Sequence, residues 1–128
     1  MDFLTCAVVI GAGATAVMDL WTLVRARLLG ERMPDYAWLG RRLAALLAWP
    51  HERAIGWTAH YLIGIAFAGA LLAIWGVEWA RQPTLAPALV VGIVTLAAPI
   101  LIGTARWQSL VTHTIFGFGL YAAARLAG

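Results

Sequence analysis

Residues 3–24 read FLTCAVVIGAGATAVMDLWTLV, an apolar run with one charged residue, Asp19. A helix crossing a bilayer needs about 20 such residues, so this stretch alone is long enough to span. Three further runs come close: residues 55–75 with His60 inside, residues 85–103, and residues 107–126 with His113 inside. Across the 128 residues, 62% are hydrophobic and 12% charged. Soluble domains lie nearer 45–50% and about 25%. That gap excludes an ordinary water-soluble globule, and disorder too, which needs low hydrophobicity and high charge. The expected fold is an all-α integral membrane four-helix bundle, a single membrane domain.

Between the first two runs, residues 36–49 read YAWLGRRLAALLAW. Trp38, Leu39, Leu43, Leu46 and Leu47 recur with roughly helical spacing, and Arg41 and Arg42 fall on the other side. Too short to span, this segment is expected to be an amphipathic helix along the membrane surface, punctuated by Pro34 and Pro50. Arg41 and Arg42 are its candidate lipid head-group contacts. Trp21, Trp57, Trp75, Trp79 and Trp107 lie near expected helix ends, where indoles favour the head-group layer. Residues 76–83 form a polar break in which Glu78 and Arg81 read as a solvated loop.

All nine basic residues are arginine, and six lie between Arg25 and Arg53. In a hydrophobic chain this cluster sets orientation rather than nucleic-acid binding. It is expected to place the first inter-helix segment in the cytoplasm and both termini outside, which in a Gram-negative cell is the periplasm. The expected surroundings are the lipid bilayer, with self-association or a larger membrane complex as further options. The lone Cys6 allows no internal disulfide or cysteine cluster and reads as a small apolar filler. Gly11, Ala12, Gly13 and Ala16 suggest a close-packed face on the first helix.

Three ionisable residues fall inside the runs: Asp19, His60 and His113. Such residues are costly in lipid and point to function by default. With the orientation above, each lies roughly 8–9 Å below the cytoplasmic edge at 1.5 Å per residue. The expectation is a buried polar cluster of Asp19, His60 and His113, with at least two of them within about 8 Å. Thr15, Tyr61 and Thr95 are candidates to support it. The cluster has four readings: polar glue between helices, a proton or ion pathway, a transition-metal site or a bis-histidine haem site. Glue leads, and no cofactor is expected. Nucleophile elbows, phosphate-cradling loops and dense zinc motifs are missing from the sequence, so no catalytic residue is named.

Two short echoes suggest an internal repeat. Thr15-x-x-x-Asp19 matches Thr95-x-x-x-Pro99, and His60-x-x-x-Gly64 matches His113-x-x-x-Gly117. The chain also resembles the bacterial domain-of-unknown-function 2938 family. The similar stretches are residues 11–21 (GAGATAVMDLW), 39–42 (LGRR), 56–61 (GWTAHY), 64–68 (GIAFA), 83–88 (PTLAPA) and 113–121 (HTIFGFGLY). The resemblance implies a small multi-span inner-membrane protein of unassigned role. It also implies a compact version, with less sequence between Leu47 and Gly56 and between Ile102 and Trp107 than family members carry. Asp19, His60 and His113 fall inside these stretches, and the resemblance assigns them no role.

Overall fold

The computed structural model describes residues 1–32 and 36–128. Those residues form an all-helical fold: α1 (Phe3–Leu29), α2 (Ala37–Leu47), α3 (Glu52–Trp75), α4 (Glu78–Arg81), α5 (Leu85–Val94), α6 (Ala97–Leu101) and α7 (Trp107–Ala127). Three of these, α1, α3 and α7, are long and apolar enough to cross a membrane.

Helix ends follow local chemistry. Asp2 caps α1, its carboxylate accepting the Thr5 N–H at 2.8 Å. That hydrogen bond favours the ionised form and lowers the Asp2 pKa. The helix ends at Gly30, whose φ of +67° suits a residue without a Cβ. It thus runs five residues past Val24, carrying Arg25 and Arg27 on the same rod. α3 likewise starts earlier than expected, at Glu52, an acid placed favourably at a helix N-terminus.

The apolar segment expected as one span over residues 85–103 is two short helices. The break at Thr95 and Leu96 has a local cause. Pro99 lacks the N–H that would bond the Thr95 carbonyl, and its ring clashes with that carbonyl. Pro87 does no such damage, because it sits in the first turn of α5, where no intrahelical donor is needed. Glu78 and Arg81, expected in a loop, form the single turn α4 and pair with each other at 3.1 Å.

α1 is the central rod. It packs against α3 on one side and α7 on the other, while α5 packs on α7 and α2 on α3. The small residues of α1 therefore serve two faces. A Cβ on Gly11 would run into the α3 backbone at Ile65, and one on Gly13 would lie 2.9 Å from Ala123 of α7. Ala16, expected on the packed face, is exposed.

The core fills one end of the molecule. Cys6, Ile10, Leu71, Leu72, Leu120 and Ala124 are buried there. Trp79 joins them at 7% exposure, so it is a core residue and not a head-group anchor. Trp75 and Trp107 do lie exposed at helix ends.

α2 docks through small residues. Ala37, Gly40 and Ala44 are its buried positions, and Gly40 and Gly56 let α2 and α3 meet backbone to backbone. Of its apolar stripe, Trp38, Leu46 and Leu47 are exposed, while Leu39 and Leu43 are half-buried. Pro34 lies outside the described residues; Pro50 follows the helix.

Candidate functional site

Polar residues gather at the end opposite the core, where α3 and α5 have little contact. Each side of that opening carries one histidine. The contact of Gly11 and Gly64 brings α1 and α3 close. Thr15 adds to the tight fit: buried, it donates to the Gly11 carbonyl at 2.7 Å and packs on Gly64. One turn further, Asp19 meets His60, with Nε2 2.9 Å from Oδ1. A carboxylate only accepts, so His60 Nε2 carries the proton and donates. The two side chains are 19% and 9% exposed, so the bond is largely withdrawn from solvent. Asp19 Oδ2 is buried and has no hydrogen-bond partner among the described residues.

Aromatic rings hold the His60 imidazole. Tyr36 stacks on it with centroids 3.9 Å apart and planes 16° apart. Trp57 meets both rings edge-on, at 5.7 Å from His60 and 5.0 Å from Tyr36. Tyr61 approaches the imidazole from the side at 5.6 Å. Tyr36 stands at the start of α2, and burial pushes its hydroxyl pKa above the usual tyrosine range.

His113 does not join this pair. Its Nδ1 bonds to Oγ1 of Thr95, the residue at the break after α5, and the same hydroxyl donates to the Gly92 carbonyl. Thr95 has one proton to give. With it directed to Gly92, His113 Nδ1 is the donor to Thr95 and Nε2 keeps a lone pair. The close approach of α5 and α7 comes from Gly92 and Gly117: a Cβ on Gly92 would lie 2.6 Å from Gly117 Cα.

The structure thus resolves the expected three-residue cluster into two pairs, Asp19–His60 and Thr95–His113. Thr95, expected as a support, is a direct partner; Thr15 and Tyr61 flank the first pair. Tyr36 went unnoticed in the sequence, because it reads as the edge of a surface helix and its stacking partner is 24 positions away. A metal would need three converging ligands, and no such group of His, Cys, Asp or Glu occurs among the described residues. Arg41 and Arg42 are exposed on α2.

Both histidines line one cleft of about 470 Å³ between α3 and the α5–α6 segment. Its walls are mainly apolar, with Leu39, Ile63, Phe67, Ile102 and Phe116 among them. The size is typical of small-molecule sites.

Neither a curated protein nor a solved structure matches the chain. A family model does, over residues 8–104: the family described as Protein of unknown function (DUF2938). The match takes in Asp19, His60 and Thr95 and stops short of α7, so His113 and residues 113–121 lie beyond it. Since the matched region covers most of the sequence, the chain belongs to this family of unknown function.

Proposed function

We propose that this protein is a multi-pass component of the bacterial inner membrane, non-enzymatic and accessory in role. Its membrane domain is a bundle of α1, α3, α5–α6 and α7, with α2 at the cytoplasmic surface. Arg25, Arg32 and Arg106 line one hollow at a single end of the bundle. That supports a cytoplasmic placement of this end, with both chain termini in the periplasm. Leu4, Leu28, Ile74 and Leu126 are each more than two-thirds exposed, a surface suited to lipid rather than water.

One observation carries the accessory reading: both imidazoles, the buried His60 and the half-buried His113, are already bonded across a helix contact, His60 to Asp19 and His113 to Thr95. Each bond ties two helices of the bundle together, as polar groups do in lipid. The test is His60→Ala and His113→Ala in the full chain reconstituted in vesicles. The accessory reading expects lower resistance to unfolding and unchanged proton and ion leak. Intact folding with altered flux would instead establish a conduction pathway and end the proposal.

A further inference from the structure

The apolar cleft is not isolated. A second hollow of about 490 Å³ adjoins it, and Tyr36, Thr112 and His113 line both. The two have opposite chemistry. The second is lined by Arg25, Arg32 and Arg106, with Glu31 as its one acid among the described residues. Glu31 takes up Arg25 at 2.7 Å. No carboxylate pairs with Arg32 or Arg106 among the described residues. A basin with surplus positive charge therefore meets an apolar slot at a shared rim of a tyrosine, a threonine and a histidine.

That sequence of surfaces matches one kind of molecule: a hydrocarbon chain ending in an anionic head. Guanidinium groups suit phosphate because their planar donors match its oxygens two at a time. Apolar walls gain from covering a chain that would otherwise disturb polar surroundings. We propose that the joined hollows bind one anionic phospholipid. Its phosphate sits between Arg32 and Arg106, and one acyl chain lies in the cleft along Ile63, Phe67 and Phe116. Arg25, held by Glu31, positions the basin wall. Tyr36 and His113 stand where head meets chain. The proposal rests on the membrane reading above, and the experiment separates the two.

The full chain is extracted in mild detergent and offered dioleoyl phosphatidylglycerol or dioleoyl phosphatidylcholine, with retention read by native mass spectrometry. Phosphatidylglycerol is expected to be held at least about tenfold more tightly, because phosphatidylcholine brings the same phosphate together with a quaternary ammonium that the surplus arginine charge repels. The double variant Arg32→Gln/Arg106→Gln is expected to erase that preference; both side chains are exposed, and circular dichroism verifies the helices. Ala98→Trp, on the cleft wall, is expected to weaken retention of both lipids. Inorganic phosphate at millimolar concentration is expected not to displace the lipid. Equal retention of the two lipids by the unaltered chain overturns the proposal without any variant. Preference surviving the arginine changes, retention unaffected by Ala98→Trp, or displacement by free phosphate each overturns it as well. Release of the protein from membranes by alkaline carbonate would defeat the spanning reading; firm attachment with no lipid preference would defeat only the lipid site.

Discussion

The pairs α1–α3 and α5–α7 are two versions of one arrangement. In both, a threonine gives its proton to a backbone carbonyl on its own helix. In both, a glycine crossing brings the partner helix close, with a histidine one turn before the partner's glycine. The difference lies four residues after the threonine, where α1 has Asp19 and the second pair has Pro99. The carboxylate gives His60 an acidic partner and leaves α1 continuous. The proline removes that partner and breaks the helix, and His113 falls back on Thr95. At the corresponding position the first pair thus carries a carboxylate and the second a proline.

The comparison can be broken most severely at the crossings. Gly11→Ala and Gly92→Ala each set a Cβ against backbone that cannot yield like a side chain. Each is expected to cost about 3 kcal/mol, at the upper end for overpacking, in denaturant titrations in detergent. Gly30→Ala, where nothing lies within 4 Å, separates crowding from backbone strain.

Removing the histidines should expose the asymmetry. His60→Ala strands the Asp19 carboxylate in an apolar setting, at about 3 kcal/mol on insertion scales. His113→Ala leaves only the Thr95 hydroxyl, for which about 1 kcal/mol is expected, within the range of interhelical hydrogen bonds in membranes. Equal losses in the same titration would erase the distinction between the pairs. Adding Asp19→Asn to His60→Ala should restore much of the loss, because the uncompensated charge is gone.

A smaller effect is expected from Pro99→Ala, which returns the missing donor to the Thr95 carbonyl. Helix content should rise by a few residues in circular dichroism as α5 and α6 join. The smallest concerns alkaline pH. Tyr36 has its pKa raised in the folded state by burial, so it favours the fold equally at all pH values below its ordinary 10.0. As pH climbs beyond that value, the unfolded chain loses its proton first and stability falls. Tyr36→Phe should flatten this decline in melts between neutral and alkaline pH.

Much of this arrangement was legible in the residues. Long apolar runs locate α1, α3 and α7, since a helix satisfies its backbone groups within a single run and needs no water to do so. Counting depth from the arginine-rich end brings Asp19 and His60 to one level. Depth gives no angle around the helix axis, however, and that is why His113 was grouped with Asp19 when it faces Thr95. The face by which α2 docks on α3 is not legible for a related reason. Large apolar residues dominate its pattern, yet Ala37, Gly40 and Ala44 make the contact, spaced three and four apart. Trp79 illustrates a third limit: a tryptophan beside a polar turn can be an anchor or a core residue, and only tertiary packing decides.

Under the proposed membrane placement, the division of the third apolar segment bears on the surrounding lipid. Leu85–Leu101 is a 17-residue stretch. Even without its break it would reach only about 25 Å, against a hydrocarbon thickness of about 30 Å. α1, at 27 residues, is more than long enough. A bilayer meeting both flanks must pucker on one side and not on the other. The protein would then sit in a lopsided dimple, preferring thin membrane regions and other molecules that dent the sheet in the same direction.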